Sequence, residues 1–490
     1  MMNSMKNRAA GILLHPTSLP SSSVIGNLGT DAFHFIDFIA DCGFKVWQVL
    51  PVNPAHSDNS PYQALSVHAG NPFLISLDLL IKWGWLESYE LHEELDVFKT
   101  SHIKALKQSF EIFNKEAEEQ HKAEFEEFKT QHSSWLDGYA LYIALKDENN
   151  GMAWWDWPVE ERDCLEDAIR QAKSRLQQSI EETQYQQFIF FKQWLAVKQY
   201  ANDHDVEIFG DMPIFVAHDS ADVWSFRECF RLNEDGHTTV VAGVPPDYFS
   251  ETGQRWGNPL YDWEYMKKDG FHWWIDRMKT QLILYDLIRI DHFRGFEAFW
   301  EIPAESETAI DGQWVKAPGD GFFTTLKGVF EDLPLLVEDL GVITQEVIDL
   351  RDKFNFPGMK ILQFAFGGEA DNPYLPHNHE KNSVVYTGTH DNDTTLGWYQ
   401  SSSEEVKKHV YDYLVCETEK MPWVLIKAAM ASPAFLSIIP MQDILDLGSE
   451  HRMNIPGTTE NNWCWKFNWD QVSVVLPKKI KRLIELYGRA

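Results

Sequence analysis

Residues 287–295 read L-I-R-I-D-H-F-R-G. A short apolar, β-branched run closed by an acid, a histidine and a glycine is the pattern of a buried strand with a polar end. Two other stretches repeat it: P-L-L-V-E-D-L-G at 334–341 and S-V-V-Y-T-G-T-H-D-N-D at 383–393. They place Asp291, Glu338 and Asp391 just beyond their apolar runs. In a barrel of parallel strands such ends gather on one face, where catalytic groups are found. Three convergent carboxylates suit glycosyl transfer, with one nucleophile, one proton donor and one group gripping sugar hydroxyls.

Working outward, apolar runs at 11–15, 45–51, 207–212, 287–291, 335–338, 359–366, 383–387 and 436–441 complete a set of eight candidate strands. Amphipathic helical stretches separate most of them. Ile103, Leu106, Phe110 and Phe113 recur at helical intervals, and residues 183–202 run as a helix into the third strand. Eight alternating units predict an α/β fold, a (β/α)8 TIM barrel. A doubly wound sheet competes, but no G-x-G-x-x-G follows the first strand. The spacing predicts one catalytic barrel over 1–490, with large, mostly helical insertions at about 53–206 and 214–284 forming subdomains around the active-site face. Only about 45 residues follow the eighth run, too few for a sandwich of roughly 100 residues, so no C-terminal β-domain is expected. Residues 477–487 read as a closing amphipathic helix.

Composition narrows the partners. With 43 basic against 74 acidic residues the chain carries −31, which argues against nucleic acid or an anionic membrane. No apolar stretch reaches spanning length. Five cysteines without metal spacing read as reduced thiols and a cytoplasmic location. No EF-hand loop, H-E-x-x-H, Cys/His set or phosphate loop is present, so neither metal nor cofactor is expected. A monomer or weak homo-oligomer fits.

Arg289 and Asp291 lie two apart and leave the same face of a strand. A guanidinium there favours the ionised carboxylate and orients it. A structural ion pair at a barrel mouth explains the same two residues equally well. Glu338 emerges from a dry run beside other acids, conditions that raise a carboxyl pKa and suit it to donate and later accept a proton. His390 and Asp391 could bond adjacent hydroxyls of one sugar. The bland reading is a helix cap, a job that Asp393 and Thr394 could take instead. Asp211, in G-D-M-P-I-F-V, reads as a brace for the face. Two loops, 59–72 and 241–259, hold Tyr62, Asp247, Gln254 and Trp256 among prolines and glycines. Core packing is the competing reading for Tyr62 and Trp256.

Taken together, G-I-L-L-H-P-T-S-L-P (11–20), S-P-Y-Q, G-D-M-P-I-F-V-A-H-D-S-A-D-V-W (210–224), G-V-P-P-D-Y-F, G-Q-R-W-G-N-P, R-I-D-H-F-R-G, V-E-D-L-G, T-G-T-H-D-N-D-T-T and R-M-N-I-P-G-T (452–458) resemble the 4-alpha-glucanotransferase (amylomaltase, disproportionating enzyme) family, relatives of the α-amylase clan. The motifs follow in order over almost the whole chain. The resemblance implies Asp291 as nucleophile, Glu338 as general acid/base and Asp391 as transition-state stabiliser. It implies assistance from Arg289 and His390, and glucan contacts from Tyr62, Asp247, Gln254 and Trp256. The implied substrates are α-1,4-glucans (maltooligosaccharides, starch or glycogen) and glucose, and the implied reaction is a retaining double displacement. An α-amylase-like hydrolase with the same carboxylates is the alternative, and a non-catalytic glucan-binding barrel a more remote one.

Overall fold

The computed structural model describes residues 7–246, 250–415, 419–458 and 460–490. Eight strands, β1 (Ala9–Leu13), β2 (Val46–Gln48), β3 (Glu207–Met212), β4 (Leu287–Ile290), β5 (Leu335–Val337), β6 (Gly358–Ile361), β7 (Ser383–Tyr386) and β8 (Leu436–Pro440), form one sheet in the order β6-β7-β8-β1-β2-β3-β4-β5. All its pairings are parallel. The two edges meet: Val337 N–H donates to Pro357 O at 2.9 Å, and Met359 N–H to the Asp339 carboxylate at 2.7 Å. The fold is a (β/α)8 barrel. Strand limits differ from the apolar runs. The run at 45–51 leaves the ladder after Gln48, short of Pro51, and the run at 359–366 turns into the 3-10 helix Leu362–Phe364.

Side-chain parity explains both the core and the site. Leu13, Val46, Phe209, Leu287, Leu336, Met359, Val384 and Ile438 fill the barrel interior. Their neighbours Ile12, Trp47, Ile208, Ile288, Val337, Val385 and Ile439 pack outward against the helices. With a period of two, Asp211 follows Phe209 inward, Arg289 and Asp291 follow Leu287, and Glu338 follows Leu336. Apolar layers thus close the barrel below, and charged layers crown its C-terminal face.

The long segment between β2 and β3 is helical, with Leu95–Glu116, Glu119–Gln131, Ser133–Glu148 and Gln177–Asp203 as its main elements. The last of these pins the loop that carries Tyr62. Gln187 accepts from Gly70 N–H at 2.7 Å and donates to Gly70 O at 3.0 Å, and Gln193 does the same for Ser76. A Cβ on Gly70 would stand 1.9 Å from the Phe190 ring, so only glycine permits this approach.

A four-stranded antiparallel sheet, ordered Gln254–Pro259, Val240–Val244, Ala298–Pro303, Gln313–Lys316, lies beside the barrel mouth. Its first two strands fall in sequence that reads as Gly/Pro loop, and its last two come from beyond β4. Among the described residues no strand follows β8, and the chain closes on the helix Leu476–Leu486. Among the described residues no helix is long and apolar enough to cross a membrane.

Just past that helix, Arg489 is fully buried under the barrel, its guanidinium donating to the carbonyls of Ala9, Met430, Ser432 and Ala434. Replacing it with methionine strands those acceptors, each at roughly 1–3 kcal/mol before relaxation. Thermal unfolding of Arg489→Met is expected to show a loss of about 3 kcal/mol, with the site geometry retained.

Candidate active site

Arg289 organises the crown. Its Nη1 donates to both carboxylate oxygens of Asp211 at 2.7 Å, and its Nη2 to Asp291 Oδ1 at 2.8 Å. The Tyr62 hydroxyl donates to Asp211 Oδ2 at 2.7 Å. Burial opposes charge on Arg289, but Asp211 and Asp291 more than offset it and hold the guanidinium well above its ordinary pKa. Asp211 is fully buried, whereas the Asp291 side chain is 31 % exposed. The first carboxylate anchors the cation and the second presents an oxygen to the open face. Removing the anchor breaks a buried pair, which costs roughly 3–5 kcal/mol. Asp291 remains as a partner, so Asp211→Ala is expected near the lower end, measured by thermal or denaturant unfolding.

Glu338 sits against the segment that carries Asp291. His292 has left-handed backbone (φ +51°), and its N–H donates to Glu338 Oε2 at 2.7 Å while Leu340 N–H donates to Oε1 at 2.7 Å. Burial raises the Glu338 carboxyl and the Asp291 charge adds to it. Arg289 and the two backbone donors offset only part, leaving it at about 7. A carboxyl poised near neutrality can release and recover a proton. The adjacent Asp339 turns away, taking Arg351 at 2.7 Å and the Met359 amide.

Asp391 lies in the loop five residues beyond the end of β7. His390 Nε2 stands 3.2 Å from Asp391 Oδ2, Asn454 Nδ2 donates to Oδ1 at 2.6 Å, and Arg452 donates to the Asp391 backbone carbonyl at 2.9 Å. Burial disfavours the charge, yet His390 and Asn454 hold Asp391 well below the usual carboxylate range. Burial likewise lowers His390, and Asp391 more than offsets it, so the imidazole pKa is raised. Tyr62 stacks on His390 with centroids 5.1 Å apart and planes at 16°. Thr394 caps the next helix by accepting from Gly397 N–H, and Asp393 accepts from Thr394 N–H, which leaves Asp391 to face the site.

Trp256 packs edge-on to His292, 4.8 Å between centroids, and its indole N–H donates to Gln254 Oε1 at 3.2 Å. The antiparallel sheet thus reaches the residue next to Asp291. Asp247 lies outside the described residues. Sequence reading overlooked Asn454, Arg452 and Trp463, which stands 5.8 Å from Tyr62 and 6.0 Å from His390. The signal for Arg452 and Asn454 was the motif at 452–458, which carries no apolar periodicity. It also overlooked Asp443, which accepts from the Thr387 and Thr395 hydroxyls at 2.6 Å and ties down both ends of the loop holding His390 and Asp391. Among the described residues no group of three or more His, Cys, Asp or Glu could hold a metal ion.

A family model described as 4-alpha-glucanotransferase matches residues 14–472. The 4-alpha-glucanotransferase of Synechocystis sp. is 48% identical, covering 99% of each chain, and that of Thermus thermophilus is 48% identical over 98% of this chain and 99% of its own. The structure of an amylomaltase from Streptococcus agalactiae in complex with acarbose superposes with a TM-score of 0.95 at 35% identity, covering 99% of this chain and 100% of that one. The chain therefore belongs to the 4-alpha-glucanotransferases, glycoside hydrolase family 77.

Proposed function

We propose that the crown of the barrel carries out a retaining double displacement on α-1,4-glucans. Asp291, aimed by Arg289, attacks the anomeric carbon while Glu338 gives its proton to the departing 4-oxygen. The bond to the leaving segment breaks as the Asp291–glucosyl ester forms. Glu338, now a carboxylate, takes the proton from the 4-hydroxyl of glucose or another glucan, whose oxygen displaces Asp291 and remakes an α-1,4 bond. Asp391 and His390 grip hydroxyls of the same ring as it flattens toward the oxocarbenium-like state. Trp256, Gln254 and Tyr62 line the approach, with Asp247 assigned to the same loop.

The observation that carries this reading is the single peptide joining nucleophile to acid. The residue after Asp291 donates its N–H to Glu338, which supports the two carboxyl groups acting on one sugar. The acarbose bound by the Streptococcus agalactiae relative supports an oligosaccharide ligand here. We place the enzyme in the cytoplasm as a monomer or weak homo-oligomer. The whole chain would act as one catalytic unit, with residues 53–206 and 214–284 decorating the active-site face. The described cysteines Cys42, Cys164, Cys229 and Cys464 are free thiols, consistent with a reducing compartment. Purified protein incubated with maltotriose is expected to give glucose and a ladder of longer oligomers. Glucose and maltose alone would mean that water, not sugar, reaches the intermediate.

A further inference from the structure

Three residues after Asp291, Arg294 is 6 % exposed in the 3-10 helix Phe293–Phe296. It continues a set of contacts that join this segment to the one carrying Glu338. His292 N–H donates to Glu338 Oε2, Phe293 N–H donates to Glu338 O at 3.1 Å, and Arg294 Nη1 donates to Val342 O. Residues 340–343 form no helix or strand, and Gly341 and Val342 are exposed. Within this loop Leu340 N–H donates to Glu338 Oε1. Among the described residues, Arg294's is the one hydrogen bond that reaches 340–343 from elsewhere in the chain. The guanidinium is itself held, its carbon lying 3.7 Å from the centre of the Trp314 ring. Trp314 belongs to the edge strand Gln313–Lys316 and is braced edge-on by Trp300 at 5.1 Å. The opposite edge of the same sheet brings Trp256 to His292, so the sheet touches the segment after Asp291 at residues 292 and 294.

We propose that Arg294 is a positioning residue for the proton transfer: capped by Trp314, it pins the 340–343 loop so that Leu340 N–H keeps Glu338 aimed at the glycosidic oxygen. A planar cation suits both contacts, since its edge donates to a carbonyl while its face stacks on an indole. Nε is buried and makes no hydrogen bond among the described residues, so Val342 O and the Trp314 face are the contacts that fix the group. The Glu338 carboxyl depends on two backbone donors. His292, the first, adjoins the buried Phe293. Leu340, the second, stands in the loop whose outside tie is Arg294. Asp291 is served differently, by Arg289 Nη2. Loss of Arg294 therefore loosens the acid and leaves the nucleophile its partner.

This role rests on the catalytic reading above, which wild-type transfer from maltotriose and the Glu338→Gln variant test first and separately. Two variants then test Arg294: Arg294→Met keeps an unbranched side chain without the donor, and Trp314→Leu removes the stacking face. For each, kcat and KM with maltotriose are set beside fluoride released from α-glucosyl fluoride in the first turnover, a step whose leaving group needs no proton. Melting temperatures are measured in parallel. Arg294→Met is expected to lower kcat with maltotriose by about 10²-fold, the cost of a misplacement of roughly 1 Å. KM and first-turnover fluoride release should stay within about twofold of wild type, because neither needs the acid. Trp314→Leu is expected to show the same pattern at about threefold, the worth of one exposed cation–π contact. An equal fall with both donors would place the effect on Asp291 or on the fold, and a fall confined to KM would make the pair a glucan contact. Either result, or full activity of folded Arg294→Met, would overturn the proposal. If Arg294→Met does not fold, Trp314→Leu decides alone: a loss of kcat with maltotriose only supports the assignment, and any other result rejects it.

Discussion

Asp291→Asn is expected to remove transfer almost completely, lowering kcat by roughly 10⁵-fold, the scale seen when a covalent nucleophile is deleted. The substitution is close to isosteric. The side-chain oxygen still accepts from Arg289, and the guanidinium keeps its two bonds to Asp211. What disappears is the oxygen that forms the ester. The melting temperature should therefore move by no more than about 2 °C, and maltotriose should still bind, measured by calorimetry. A loss of activity accompanied by unfolding would instead mark Asp291 as the structural half of an ion pair, the alternative its sequence leaves open.

Glu338→Gln is the second large effect, and the donor should decide its size. With a maltooligosaccharide the leaving group needs a proton, and kcat/KM is expected to fall by about 10³-fold, within the range for a general acid. With α-glucosyl fluoride, whose leaving group departs without one, the first half-reaction should be nearly spared. The pH dependence follows from the raised pKa. Glu338 must be protonated in the free enzyme to act as the acid, and its protonated fraction falls as pH rises through about 7. Wild-type kcat/KM for a glucan donor should drop tenfold per pH unit above that point, and the limb should vanish with the fluoride donor. Only titration of Glu338 itself predicts both behaviours.

Much of this was legible because a strand has a period of two. Once residues 287–291 are a strand facing the barrel with Leu287, the inward direction of Arg289 and Asp291 is settled, and Leu336 does the same for Glu338. Asp211 was readable as a brace from its place at the end of the third run, and in the structure it stands directly opposite Arg289 on the neighbouring strand. The surroundings of Asp391 were not. Its partner Asn454 is 63 residues away in a loop, and no local pattern announces such a contact. The antiparallel sheet was hidden differently. Its strands V-V-A-G-V and Q-R-W-G-N-P are Gly-bearing and short, and the first of them pairs with a segment on the far side of β4. Local propensity reads loop there, and cross-strand packing overrides it.

The covalent intermediate is where the account is most exposed. Glu338→Gln protein, slow to release a bound sugar for want of a base, can be mixed with α-glucosyl fluoride, quenched in acid and digested for peptide mass mapping. A single glucosyl residue is predicted on the peptide holding Asp291, at that carboxylate. A glucosyl group on Glu338's neighbour Asp339, on Asp391 or on Asp211, or turnover of the fluoride without any ester, would contradict it.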